Sequence, residues 1–206
     1  MSYKKRAMKE LYSYIALFYY GNFRRNNMWT KTRSELEKRI APCLLGRVRY
    51  QFEVFTSIKS LHWEEMPVFS IFVDGECWFA SDPRGHAEKM IILSEMIEQQ
   101  QKKQPDKAYW ELATRELDNT ALEKAMKGSG HMYVNDVMRR VHIYLNEANI
   151  DDCISGKDYF LYMLAIMDRR TGKRRIKKIV DNIEQEPLWI RKFIYLRAKA
   201  EKMIST

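Results

Sequence analysis

The sequence predicts an α+β protein: a small three-stranded antiparallel sheet packed with about six to seven helices, and a mostly helical C-terminal half. Three observations lead there. Apolar residues recur at period two only between residues 47 and 80, and at helical spacing over most of the rest. An Asp74-Gly75 pair sits between two apolar runs, where a tight hairpin needs a residue that tolerates positive φ. Apolar residues make up 46% of the 206, enough for a real core. No apolar run reaches the roughly 20 residues that span a bilayer.

Met8, Leu11, Ile15 and Phe18 share one helical face and predict a helix over 3–20, stopped by Gly21-Asn22. Its Lys4-Lys5-Arg6 opening imitates a signal peptide, but no small-x-small cleavage site follows, so the segment reads as structural. Thr30 or Thr32 caps a second helix through about Ile40, with Leu36 and Ile40 inward, and Pro42 ends it. Val48, Tyr50, Phe52 and Val54 then alternate with Arg49, Gln51 and Glu53, as a half-buried strand requires. A polar loop with His62 and Glu64-Glu65 leads to a strand over Val68–Val73, and Glu76–Ala80 returns after the turn.

Ser81-Asp82-Pro83-Arg84-Gly85 reads as a break, followed by a helix from about His86 to Gln100. The polar stretch Gln99–Pro105 reads as a loop or frayed end, and a further helix is expected over 106–127. Gly128-Ser129-Gly130 is the clearest hinge. Val134, Val137, Met138, Val141 and Leu145 stripe the next helix, and 150–155 reads as a short turn. A helix over 157–170 turns Phe160, Leu161, Leu164 and Met167 inward, with Gly172 expected as its left-handed cap. Another helix is expected over 173–184. Pro187 suits the first turn of the last one, whose buried edge is Trp189, Phe193, Leu196, Ala200 and Met203. The organisation implied is an N-terminal helical extension (1–27), an α+β domain (28–127) and a helical domain or subdomain (131–206).

The net charge is +9, and its distribution is uneven. Residues 1–27 and 131–206 each carry +5, while 28–85 are neutral and 86–130 carry −1. Seven of the ten residues from Arg169 to Lys178 are basic and none is acidic. Such a density of cations is costly unless water, carboxylates or a polyanion faces it. The three cysteines, Cys43, Cys77 and Cys153, are scattered, which disfavours a disulfide framework or zinc ribbon and fits a reducing cytoplasm.

Met28-Trp29-Thr30-Lys31, Gly46-Arg47-Val48-Arg49-Tyr50, the Asp74-Gly75 hairpin and Leu164-Ala165-Ile166-Met167-Asp168-Arg169-Arg170-Thr171-Gly172-Lys173-Arg174 occur in that order. Together they resemble a family of small bacterial proteins found in gut Firmicutes and on mobile elements. Its members carry a "GRVxY" strand and a C-terminal "LAxLDRRxGKR" element. The resemblance covers about residues 28–178. It implies a fold and a cytoplasmic bacterial or phage setting, and no reaction. Residues 1–27 precede the family's usual start at Met28, and residues beyond about 180 look like an addition.

The bland explanation of the 168–178 run is a helix end, with Asp168 pairing an arginine and cations offsetting the helix dipole. That covers Arg169 and Arg170. It does not cover Arg174, Arg175, Lys177 and Lys178, which open the next helix, where the dipole disfavours cations. A phosphate backbone would account for them. Lys4, Lys5, Arg6, Arg24 and Arg25, interleaved with aromatic rings, suit unpaired bases, although an amphipathic helix with solvated lysines explains them as well. Docking on an anionic membrane lacks a continuous apolar face.

No chemistry-bearing motif competes. His62, His86, His131 and His142 have no His or Cys at ligand spacing. Glu64-Glu65 and Asp151-Asp152 are adjacent in sequence and poor acid/base pairs. Trp29, Trp78, Trp110 and Trp189 read as core, whereas Trp63, in a polar loop, reads as a contact residue.

The preferred expectation is therefore a non-enzymatic, cytoplasmic, basic protein that binds nucleic acid or a nucleic-acid-bearing complex. Arg169, Arg170, Lys173, Arg174, Arg175, Lys177 and Lys178 would grip phosphates, helped by Lys4, Lys5, Arg6, Arg24 and Arg25. No catalytic residue, metal or cofactor is assigned. In a phage or mobile-element setting such a protein could obstruct a host nucleic-acid-processing or immune machine. Two alternatives stand beside it: a module that binds an acidic protein surface, and a metal-dependent hydrolase built from Asp74, Glu76 and a distant lysine.

Overall fold

The computed structural model describes residues 26–53 and 68–204. The helix expected over 3–20, Val54, and the loop holding His62, Trp63, Glu64 and Glu65 lie outside the described residues. The chain divides into two compact units, residues 1–38 and 39–206. In the first lies α1 (Asn26–Arg39) except for its last residue, Arg39, which belongs to the second; the helix begins before the expected Thr30 cap, and exposed Glu35–Lys38 and Arg33–Glu37 pairs decorate it. Pairs of that kind add little stability.

The second unit opens on a short 3₁₀ turn at Pro42–Leu44 and enters the sheet. Strands β1 (Val48–Glu53), β2 (Val68–Val73) and β3 (Glu76–Ala80) pair antiparallel in the order β1-β2-β3. Tyr50 lies opposite Ile71, and Ile71 opposite Phe79. Val48, Tyr50, Phe69, Ile71, Val73 and Phe79 are all buried, so period two marks the covered face. At the hairpin Asp74 and Gly75 both have positive φ, +52° and +89°, as a two-residue turn of this hand demands. Arg47 clips the turn with hydrogen bonds of 2.9 and 2.6 Å to the two Asp74 carboxylate oxygens.

The stretch Ser81–Gly85 is a helix start rather than a break. Asp82 is the N-cap of α2 (Pro83–Lys103): its carboxylate accepts from the Arg84 amide at 2.7 Å, and Pro83 occupies the first turn. The polar run after Gln99 continues this helix to Lys103. The helix expected over 106–127 is two, α3 (Tyr109–Leu112) and α4 (Arg115–Ser129). Thr114 divides them, because its hydroxyl accepts from the Leu117 amide and so starts a new helix. Leu93, Ile97, Leu112 and Ala121 form the seam between α2, α3 and α4. Trp110, expected in the core, is 78% exposed, since the four-residue α3 turns only Leu112 inward.

Gly85 lets α2 approach the chain entering α5. A Cβ there would stand 2.6 Å from the Met132 backbone nitrogen, while the Asp82 amide donates to the Met132 carbonyl at 2.9 Å. Gly85→Ala should therefore destabilise the protein by roughly 1–3 kcal/mol, the range for forced overpacking, read as a lower urea midpoint at unchanged slope.

The remaining helices are α5 (Val134–Asn146), α6 (Ile150–Ser155), α7 (Tyr159–Met167), α8 (Lys173–Asp181) and α9 (Leu188–Ala200). The expected turn at 150–155 is helical because Asn149 caps it, accepting from the Asp151 amide at 3.0 Å. Helix α7 is buried nearly all round and lies on the sheet, with Phe160 ring centroids 6.0 Å from Phe69 and 5.4 Å from Phe79. It ends at Met167, not Arg170. Asp168 is extended and bridges to Ile40. Gly172 is not left-handed: at φ −71° and ψ 163° it is the N-cap of α8. Helix α8 stops at Asp181, short of Glu184, and a 3₁₀ turn at Ile183–Gln185 leads to Pro187, the N-cap of α9. Among the described residues no helix is long and apolar enough to cross a membrane.

Candidate nucleic-acid interface

The Asp168–Thr171 corner is built from the inside. The Asp168 carboxylate is fully buried. It accepts from the Tyr144 hydroxyl, from the Arg170 amide at 2.6 Å and from the Arg170 guanidinium at 2.8 Å. Burial and the Asp168 charge push the Tyr144 hydroxyl far above its ordinary pKa, so it remains a donor. Arg39 closes the other side, donating to the Tyr144 and Leu145 carbonyls at 2.5 and 2.6 Å. Arg39 O in turn accepts from the Arg169 amide at 2.7 Å. Thr171 is buried, donates to Ala165 O at 2.6 Å and accepts at its carbonyl from Arg197 at 3.0 Å. The corner thus joins residues 39–41 to α5, α7 and α9. Its Asp168 and Arg170 are paired with each other, so Arg170 already has a carboxylate partner within the fold.

Helix α8 sorts the remaining cations. Ile176 and Ile179 are buried. Arg174, Lys177 and Lys178, at i, i+3 and i+4, take the opposite face and are exposed. Among the described residues these three make no ion pair. Arg175 differs: its guanidinium lies 2.7 Å from an Asp151 oxygen, an internal partner that weakens its expected role. Lys173 is mostly exposed, with its Nζ 4.0 Å from Glu201. Arg169 is exposed at the preceding corner. Gly172 has no side chain to cap the first amides of α8, so the positive end of the helix adds to the cations around it. Lys4, Lys5, Arg6, Arg24 and Arg25 lie outside the described residues.

The Lys173–Glu201 approach sets α8 antiparallel to α9, and α9 contributes cations that the sequence reading passed over. Lys199 and Lys202 are exposed, on or just beyond α9. Their signal was present as spacing but was masked by the aromatic residues that made the helix read as a core edge. Residues 173–202 carry ten basic and four acidic side chains, so this hairpin holds +6 of the chain's +9. Three α9 cations are occupied internally: buried Arg197 donates to the Thr171 carbonyl and pairs with Glu201 at 2.6 Å. Arg191 pairs with Glu184 at 2.7 Å, and Lys192 donates to the Trp78 carbonyl.

Other polar clusters are internally balanced. Buried Lys89 lies 3.1 Å from Asp136 and 3.2 Å from Asp118, and Arg139 approaches the same two carboxylates, so two cations face two anions. Arg140 donates to Asp158 at 2.7 Å and to Asn119 at 3.2 Å. The Ser129 hydroxyl donates to one Glu88 oxygen, and His131 Nδ1 lies 3.0 Å from the other. Carboxylate therefore stands between serine and histidine, which is the wrong order for nucleophile activation. Both Asp74 oxygens are held by Arg47, and Glu76 is exposed beside that turn. Among the described residues no group of three or more His, Cys, Asp or Glu is placed to hold a metal ion. Cys43, Cys77 and Cys153 are free thiols.

His86 supplies a pH dependence. Burial, then the nearby Lys89 charge, hold its imidazole below the ordinary pKa, and its ring lies 5.2 Å from that of Tyr133. The fold therefore favours the neutral ring, and the unfolded chain takes up the proton first. Stability from this site is present above about pH 6.5 and is lost as the pH falls below it. Chemical denaturation between pH 7 and about pH 5 should show that decline, and a His86→Asn variant should show less of it.

The model of one protein family matches residues 28–198, from within α1 almost to the end of α9. The chain belongs to the SF0329 protein family. The SF0329 match extends beyond residue 180, which corrects the expectation that the C-terminal helix is an addition: α9 lies within the family segment. Residues 1–27 lie outside that segment. No curated protein and no solved structure matches the chain.

Proposed function

We propose that this SF0329 member is a non-enzymatic, cytoplasmic binding protein for nucleic acid or a nucleic-acid-bearing complex, gripped through phosphates by the outer face of α8. The observation that carries the reading is the state of Arg174, Lys177 and Lys178. They share one exposed helix face and have no ion pair among the described residues, while neighbouring Arg170 and Arg175 are paired. Arg174, in the first turn of α8, opposes the helix dipole by about 0.3–1 kcal/mol, whereas Lys178 lies in the last turn, where the dipole favours a cation. A phosphate backbone reverses that penalty and gains from counterion release. Arg169, Lys173, Lys199 and Lys202 extend the same basic character along the hairpin.

The test is capture of the tagged protein from cell extract with and without nuclease, together with fluorescence anisotropy on labelled oligonucleotides. The reading predicts co-purifying nucleic acid and saturable oligonucleotide binding. A stoichiometric protein complex that survives nuclease, with no oligonucleotide binding, would replace it with the acidic-protein reading.

A further inference from the structure

Helix α9 carries one aromatic side chain with no evident internal task, besides an exposed Leu188 at its start. Its neighbours Phe193, Ile194, Leu196, Arg197 and Ala198 are all buried, but Tyr195 is 41% exposed. The ring makes no hydrogen bond, ring contact or cation contact with any described residue. Lys199 stands one turn further on, at i+4, and so beside Tyr195 on the same helix face; Lys202 follows just past the helix end. The other turn neighbours, Arg191 and Lys192, are turned to Glu184 and the Trp78 carbonyl. What is left facing outward is an aromatic ring next to ammonium groups that have no ion pair among the described residues, on the helix packed against cationic α8.

Proteins that hold unpaired strands combine these two elements. Cations track the phosphates, and a ring offers its face to a base, since every base has a π-face. Duplex nucleic acid hides those faces in its own stack and would gain nothing from Tyr195. We infer that Tyr195 is a base-stacking residue and that the ligand of the α8–α9 hairpin is single-stranded nucleic acid. The inference rests on the proposed function and names the ligand class of that same site. Stacking needs the ring and not the hydroxyl, so phenylalanine should serve in its place.

The experiment is fluorescence anisotropy of the full chain with labelled (dT)20, U20 and a 20-base-pair duplex, comparing wild type, Tyr195→Ala and Tyr195→Phe. Tyr195→Ala should weaken single-strand binding on the order of tenfold and leave duplex binding unchanged, and Tyr195→Phe should stay within about twofold of wild type. Unchanged single-strand affinity in Tyr195→Ala, or an equal loss on duplex, overturns the stacking role while leaving the phosphate grip standing. Wild type binding none of the three probes overturns the phosphate grip and the stacking role together.

Discussion

Asp168→Ala should lower the unfolding free energy by roughly 3 kcal/mol, the scale for removing one partner of a buried charged network. The carboxylate is fully buried and receives the Tyr144 hydroxyl, the Arg170 amide and the Arg170 guanidinium. Deleting it leaves the Tyr144 hydroxyl only the Leu164 carbonyl, 3.4 Å away, in a site where burial already forbids its ionisation. Arg170 is part-exposed and recovers some water, which keeps the loss below the upper end for such pairs. For a domain of this size each kcal/mol moves Tm by about 2–4 °C, so thermal melting should fall by about 6–12 °C. Asp168→Asn should lose less, since an amide oxygen still accepts from Tyr144. A melting temperature unmoved by Asp168→Ala would mean that the corner does not hold the unit together.

Replacing Arg174, Lys177 and Lys178 together by glutamine should weaken oligonucleotide binding on the order of a hundredfold near physiological salt. Each phosphate neutralised is worth about 1 kcal/mol of counterion release under those conditions. The loss should be similar for all sequences, because phosphates carry no base identity. Stability should change little, because Arg174 leaves the first turn of α8, where the dipole opposes its charge, and Lys178 leaves the last turn, where the dipole favours it. Arg175→Gln is the internal comparison. Its guanidinium is already engaged by Asp151, so the single change should cost little affinity. Anisotropy titrations beside thermal melts separate the two effects.

What the sequence revealed follows from which interactions are local. Strands β2 and β3 and their Asp74-Gly75 turn were legible to the residue, because alternation and a two-residue hairpin are decided by neighbours. Helix boundaries set by caps were missed. Asp82 and Thr114 were read as breakers or passed over when each starts a helix through one side-chain hydrogen bond. The conformation of residues 168–172 depends on Tyr144, Arg39 and Arg197, all distant in sequence, so the expected helix to Arg170 and left-handed Gly172 both failed.

The basic run itself was plain, and the pairing of Asp168 with an arginine was anticipated. The partner of Arg175 lies 24 residues away, on a helix read as a turn, and no local pattern announces it. The run therefore separates into cations used by the fold and cations left over, a division that only three dimensions make visible.

The most direct measurement is the slope of log Kobs against log salt for a single-stranded oligonucleotide, taken for wild type and for the Arg174/Lys177/Lys178 glutamine variant. Three phosphate contacts contribute a slope of about −2 for a single strand, so wild type should be at least that steep and the variant shallower by about 2. A wild-type slope near zero, or a variant with the same slope as wild type, would contradict the claim that these leftover cations meet a polyanion.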